Sequence, residues 1–283
     1  MNKNDARAAL EAAGLTDLVK NIDQIARNSI RMTATPGDES YLPIGATRLG
    51  GSPDLPAGTS WPEWKGLPQS FIAQIHLEEL WQYDLDKLMP QSGMLWFFYD
   101  AKQETFGESP QDRGGWQVIF KPGESGDLKR TDFPDKLPAE ARFKACSVKL
   151  ASEITLPQDP QTDLPDLKWG DDQQKKYEDV LSKFPGPNDH APMHHRILGN
   201  PETLQDDMRS QCQLVSNGMS DASDPKAEAL LKKSNDWLLL LQIDTDEQAG
   251  MKWASSGMLY YWIKAEDLKQ QKFDSSWLVL QSE

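Results

Sequence analysis

Four landmarks recur in the same order in the two halves of this chain, and a repeat of that period restricts what the chain can fold into. Gly51-Ser52-Pro53 answers Gly199-Asn200-Pro201, and Gln74-Ile75 at the end of one apolar run answers Gln242-Ile243 at the end of another. Ser92-Gly93-Met94-Leu95 followed by Trp96-Phe97-Phe98 answers Ser256-Gly257-Met258-Leu259 followed by Tyr260-Tyr261-Trp262. Trp116-Gln117-Val118 answers Trp277-Leu278-Val279. One match carries nothing; four in order, one of them four identical residues, point to two copies of a β-rich unit, with a period too long for a solenoid of short repeats. A sheet with an apolar face must be covered, and the sister copy is the economical cover. The expected fold is therefore α+β but mainly β: a roll-like body of two duplicated β units with a pseudo-twofold relation, flanked by short helices and an N-terminal helix.

The elements follow from periodicity. Ala8, Leu10, Ala13, Leu15, Leu18, Ile22 and Ile25 predict an amphipathic helix over 4–27, broken at Gly14 with Thr16 recapping the second piece. Alternation in Ser29–Thr35 predicts a half-buried strand, and Tyr41–Arg48 a second one. Pro53, Pro56 and Pro62 cannot donate to a ladder, so Gly50–Pro62 reads as a rigid irregular connection. Strands are expected at 71–75, at 94–99 (MLWFFY, apolar on both faces and so central) and at 116–120. From 123 to 187 proline recurs and acids cluster; this stretch reads as a surface connecting segment, with a strand within 142–154 and a polar helix over 171–184. The second unit, about 188–283, predicts a helix near 203–214 and one announced by Asp224 as N-cap with Pro225 at its first position. Strands at 237–243, 258–263 and 276–280 complete it. The whole is read as a single domain, with the first β unit at about 29–122.

Charge and cysteine content bound the partners. Thirty Lys plus Arg against 44 Asp plus Glu give a net charge of −14, a field that repels phosphate backbones and anionic lipid and favours a basic protein partner. Cys146 and Cys212 have no paired spacing, which fits a reducing compartment. The N-terminus lacks the pattern of a signal peptide, and the most apolar run, Trp237–Leu241 continuing into Gln242-Ile243, is too short to span a bilayer. The expectation is a soluble cytoplasmic protein of open oligomeric state.

Catalytic signatures are missing. No G-x-S-x-G elbow, P-loop or G-x-G-x-x-G occurs, so no cofactor and no catalytic residue is assigned. His190, His194 and His195 lie close together, but Pro192 breaks the helix that would align two of them, so no metal is assigned. His76 at a strand end reads as a local hydrogen-bonding residue. Glu78-Glu79, Asp206-Asp207 and the acids of 244–247 are the close pairs expected among 44 acids, without a partner base. Gln74 and Gln242 are more informative: an amide kept at the end of both apolar strands can satisfy backbone groups of the adjacent Gly-x-Pro loop, or bind a ligand. Trp61 and Trp64 flank the first loop, and Trp253 and Trp262 the second glycine turn; such aromatics serve equally as groove walls or hydrophobic lids. Asp54–Pro62 has no counterpart in the second half and is the part of the first loop most open to function. The candidate ligand- or partner-binding residues are thus Asp54, Trp61, Trp64, Gln74, Gln242 and Trp253.

Leu49-Gly50-Gly51-Ser52-Pro53-Asp54-Leu55-Pro56 with Trp61-Pro62, Phe71–Ile75 and Gly93–Phe98 in the first half resemble the YwqG-like family of bacterial proteins, a domain of unknown function. Leu198–Pro201, Leu239–Asp244 and Gly257–Tyr260 carry the resemblance in the second half, so that it covers most of the chain after about Ile44. One departure stands out: where that family commonly has Trp-Gly-Asp before the second glycine, this chain has Trp253-Ala254-Ser255-Ser256, while Trp169-Gly170-Asp171 occurs elsewhere. The resemblance implies a mainly-β roll and no established activity. The genes of relatives often lie among toxin and antitoxin genes, which implies a neutralising partner. The functional expectation is a non-enzymatic binding or immunity-type protein that engages a basic partner such as a toxin domain; the alternative is a small-molecule or carbohydrate binder, or an unrecognised hydrolase, using a cleft between the two units.

Overall fold

The computed structural model describes residues 2–123, 126–183 and 193–282. Its centre is one ten-stranded antiparallel sheet, nearly closed into a barrel, with a few short helices. The strands are β1 (Arg27–Pro36), β2 (Arg48–Leu49), β3 (Ser70–His76), β4 (Met94–Tyr99), β5 (Trp116–Lys121), β6 (Cys146–Thr155), β7 (Arg196–Ile197), β8 (Trp237–Asp244), β9 (Gly257–Lys264) and β10 (Trp277–Ser282). Across the sheet they run β5-β4-β3-β2-β6-β1-β7-β8-β9-β10. Read from either end, the order is the same once each strand is exchanged for the one five places along. The central pair, β1 with β6, is the longest ladder, from Arg27 opposite Thr155 to Pro36 opposite Cys146.

The two outer strands approach each other through side chains and one loop. The Trp116 and Trp277 rings meet at 4.8 Å, and Phe97 meets Tyr261 edge-on at 5.1 Å. The Trp116 indole donates to the Ser276 carbonyl at 3.0 Å, and Leu280 N–H to the Phe106 carbonyl at 3.1 Å. These contacts shield edges that would otherwise offer unpaired backbone groups.

The doubly apolar strand has a simple cause. Leu95, Phe97 and Tyr99 of β4 point into the main core, while Met94, Trp96 and Phe98 pack with Leu55, Phe71 and Leu128 on the other face. That second layer is built by a two-stranded ribbon, Asp54–Pro56 against Leu128–Arg130. The Gly50–Pro62 stretch is therefore partly ordered as ribbon, with Pro56 at its end where no ladder donor is required.

Helices α1 (Lys3–Ala12), α2 (Thr16–Lys20) and α3 (Ile22–Ile25) replace the expected N-terminal helix of 4–27. The first break falls at Gly14 as expected, but Leu15 rather than Thr16 precedes α2, with no side-chain cap. Helix α4 (Leu77–Trp81) follows β3, and α5 (Asp171–Leu181) joins the first three in burying Leu10, Leu18, Ile22 and Tyr177 against the end of β6. Trp169-Gly170-Asp171 opens α5, with Gly170 as N-cap and Trp169 packed on Tyr177 at 5.4 Å.

Four expectations need correction. Tyr41–Arg48 is not a strand: Glu39–Tyr41 is a 3-10 turn and only Arg48–Leu49 pairs, because Arg130 takes the Glu39 and Leu42 carbonyls that a ladder would use. The 123–187 stretch is not merely a surface connection, since it supplies β6 at the middle of the sheet. The helix expected near 203 begins only at Met208 (α6, Met208–Val215), since the N–H groups of Leu204 and Gln205 bond the Gln281 side chain. Asp224 accepts from Lys226 N–H and caps a turn two residues ahead of the helix Ala227–Leu231.

Ala254 sits at φ +49, a left-handed conformation in which a Cβ costs about 1–2 kcal/mol. It occupies the place where the resembled motif has glycine, and the turn still needs that glycine's conformation. Ala254→Gly is expected to raise stability by about 1 kcal/mol, the strain relieved less glycine's extra unfolded entropy. The urea midpoint measures it, and a midpoint that stays or falls contradicts the strain.

Candidate functional site

The two Gly-x-Pro turns seat two arginine clamps of one design. Arg48 of β2 pairs with Gln74 of β3, and Arg196 of β7 with Gln242 of β8. Each arginine donates to the carbonyl four residues on, Ser52 or Asn200. Each also contacts the acid six residues on: Arg48 Nη2 lies 3.2 Å from Asp54, and Arg196 Nη2 lies 3.6 Å from Glu202. Gln74 Oε1 accepts from the N–H of Asp54 at 2.8 Å, and Gln242 Oε1 from that of Glu202 at 2.9 Å. The two amides donate in turn to the carbonyls two residues before each arginine, Ala46 at 2.8 Å and His194 at 2.7 Å. Gly51 and Gly199 are required where these turns are pressed on the central strands: a Cβ would lie 2.7 Å from the Ala145 Cβ at the first and 2.5 Å from the Ser29 Cβ at the second.

The clamps differ in what surrounds them. Around Arg48 the packing is shut: Arg48, Asp54 and Gln74 have no exposed surface, and Asp54 also takes Arg130 Nε at 3.0 Å and Gly45 N–H at 2.9 Å. Burial pulls the Arg48 pKa down against the opposing pull of Asp54. Around Arg196 the same residues border space. A pocket of about 100 Å³ is lined by Arg31, Glu153, His194, Arg196, Pro201 and Glu202. Arg31 of β1 and Arg196 lie directly opposite each other across the ladder, an unfavourable pairing of like charges unless an acid lies between. Glu153 of β6 is that acid: Arg31 Nε donates to its Oε2 at 2.7 Å. Its other oxygen, Oε1, lies 3.6 Å from Arg196 Nε, beyond hydrogen-bonding reach. Neither of these two buried atoms has a hydrogen-bond partner. The Nε of Arg48 is likewise unpaired, but there the whole side chain is enclosed.

Glu202 closes one side, 2.5 Å from His194 Nδ1. Burial alone would raise its pKa, yet His194, Arg196 and Arg31 outweigh that and hold it below the ordinary glutamate value. A neighbouring pocket of about 150 Å³ shares Gln158 and Pro201 and is lined by Arg27, Asp163, Asp207, Arg209 and Trp262. Asp163 bridges Arg27 at 3.1 Å and Arg209 at 2.7 Å, and the buried Trp262 indole N–H has no partner. A wider, open depression of about 790 Å³ beside Gln103, Phe143 and Lys252 is lined by none of the unpaired buried atoms.

The residues named from the sequence are thereby located. Asp54, Gln74 and Gln242 are clamp members inside the fold, the glutamines serving the Gly-x-Pro loops. Trp61 lies edge-on to Phe98 and Phe133, its indole bonded to the Gln69 carbonyl. Trp64 belongs to a small ribbon, Glu63–Trp64 with Leu67–Pro68, against Gly114. Trp253 is fully buried against Tyr99 and Phe143 and donates to the Asp244 carbonyl, so it is a core residue that no ligand reaches. These six do not form one site. Asp54 does have a counterpart, Glu202, which pairwise matching missed because the acids differ in length.

The histidines and acid pairs are accounted for as well. His195 is buried, its Nδ1 accepting from Asp244 N–H at 3.1 Å and its Nε2 3.5 Å from Asp246; His190 lies outside the described residues. His76 Nε2 lies 2.9 Å from Glu78, and Glu79 accepts from Thr47 N–H. Among the described residues no group of three His, Cys, Asp or Glu is placed to hold a metal. Cys146 and Cys212 are both free and buried. No described helix is long and apolar enough to cross a membrane. The pocket residues Arg31, Glu153 and Gln158 escaped sequence reasoning, because an arginine on the outer face of a half-buried strand gives no signal of its own.

Comparison with curated proteins finds no match. A family model does match, over residues 47–282, a span that includes both clamps and the strands from β2 to β10. The chain therefore belongs to the family described as a domain of unknown function, DUF1963.

Proposed function

We propose that this protein works by binding, and that the second clamp with its two pockets holds a small polar ligand at the junction of β1, β6 and β7. The observation that supports this is the contrast between the clamps: one is enclosed, and the other borders a pocket where Glu153 Oε1 and Arg196 Nε have no partner. A buried polar atom left unsatisfied costs about 1–3 kcal/mol, so a molecule that engages both gains affinity from groups already desolvated. We also infer a cytoplasmic setting, on the two unpaired cysteines, and a YwqG-like member of the family, on the motifs quoted above.

The same reading takes the chain as a duplicated unit of five strands, β1–β5 and β6–β10, in which the first strands are exchanged. The strand order supports it: β1 pairs with β7 of the other unit, and β6 with β2. The exchange brings Arg31, Glu153 and Arg196 together from both units.

A second reading, an immunity-type protein engaging a basic partner such as a toxin domain, is supported by the net charge of −14 and by Asp159, Asp206 and Asp207 beside the larger pocket. One melting experiment separates the two. A small-molecule ligand at a hundred times its Kd is expected to add about 2.7 kcal/mol of stability. The shift should vanish in Gln158→Trp, which fills the wall shared by both pockets. A library that moves the melting temperature nowhere rejects the ligand site. A shift produced only by a basic polypeptide, and lost at high salt, selects the partner reading.

A further inference from the structure

The geometry points to a neutral, hydroxyl-bearing ligand, a polyol or monosaccharide, with one hydroxyl inserted between Glu153 Oε1 and Arg196 Nε. This rests on the small-ligand reading above and names its chemistry. The pair demands one hydrogen-bond donor and one acceptor at nearly the same point. The carboxylate oxygen needs a proton given to it, and the guanidinium N–H needs a lone pair. A hydroxyl supplies both from one atom. With hydrogen bonds of about 2.8 Å to each side a single oxygen can bridge the two atoms, which requires the Glu153 and Arg196 side chains, buried and 3.6 Å apart, to open toward the pocket as the ligand enters.

Charge argues against the other ligand classes. The two pockets are lined by four arginines, Arg27, Arg31, Arg196 and Arg209, and by six carboxylates. Arg31 and Arg209 are held by carboxylates at 2.7 Å, Arg27 by Asp163 at 3.1 Å, and Arg196 faces Glu153 and Glu202 at 3.6 Å. An anion would have to compete with those acids. A cation seated on Glu153 would face Arg31 and Arg196, each already within 3.6 Å of that carboxylate. A neutral molecule meets neither penalty. Size limits it as well: pockets of about 100 and 150 Å³ separated by Pro201 and Gln158 admit a ring or short chain, not a polymer.

Isothermal titration calorimetry on the full chain tests this with three sets of probes: glucose, mannitol and myo-inositol; inorganic phosphate and citrate; and putrescine. The expected result is binding by at least one of the first set and none of the others. That binding should weaken at least tenfold in Glu153→Gln, which keeps the size and alters the charge, and should be lost in Gln158→Trp. Gln158 is half-buried and outside the core, so this second variant decides the matter if Glu153→Gln does not fold. Binding only by phosphate, citrate or putrescine, abolished by Gln158→Trp, overturns the hydroxyl inference and leaves the ligand site standing. Sugar binding that survives both variants overturns it by placing the site elsewhere. Heat from no probe overturns it too, and the library melt then judges the site itself.

Discussion

Replacing Asp54 by alanine is expected to cost about 3–5 kcal/mol, the penalty for leaving buried charge without its counter-ion. The carboxylate has no exposed surface and receives Arg48, Arg130, the Gly45 N–H and the Gln74 amide, all within 3.2 Å. Its loss leaves the fully enclosed Arg48 guanidinium beside Arg130, with Glu39, at 3.2 Å, the one carboxylate still paired with it among the described residues. Since a domain commonly holds only about 5–15 kcal/mol in reserve, that is a large share of the total and should lower the urea midpoint markedly. Glu202→Ala removes the corresponding acid from the other clamp, but that side chain is 32% exposed and its loss should cost about 1 kcal/mol or less. Equilibrium urea denaturation of both variants measures the difference. Equal losses would contradict this and mean that the two clamps share a structural role as well as a layout.

Splitting the chain in the exposed loop after Asp135 should give two fragments, 1–135 and 136–283, neither of which folds alone. In the first, β1 loses both of its neighbours, β6 and β7; in the second, β6 loses both β1 and β2. The ten-residue central ladder exists only between fragments. An isolated strand with two open edges and one apolar face has nothing to pair with and tends to aggregate. Co-expression should restore a one-to-one complex with the circular dichroism of the whole protein and a single cooperative melt. A dispersed NMR spectrum from either fragment alone would show that the ladder between β1 and β6 is dispensable for folding.

Much of the layout was legible because side-chain periodicity is local. MLWFFY is a strand at its expected bounds since its residues alternate between two apolar layers, and the helix over 171–181 carries a polar surface pattern. Gln74 and Gln242 were legible as loop-satisfying amides because an amide at the end of an apolar strand has backbone groups nearby to serve. The pocket was not legible. Arg31, Glu153 and Arg196 are far apart in sequence and become neighbours only through the pairing of β1 with β6 and β7. Trp253 misled because burial, unlike hydrophobicity, is a property of the packed molecule.

By itself the sequence determined the longer strands and their approximate bounds, though not the two-residue strands β2 and β7, together with the paired landmarks and the acidic balance, since each depends on residues close together or on a simple count. The tertiary structure alone decided which strands are neighbours, that 146–155 lies at the centre of the sheet, and that one arginine clamp is enclosed while the other borders a pocket. Those outcomes depend on contacts between residues far apart in the sequence, and a hydrophobic pattern specifies the face a residue occupies without specifying the chain that covers it.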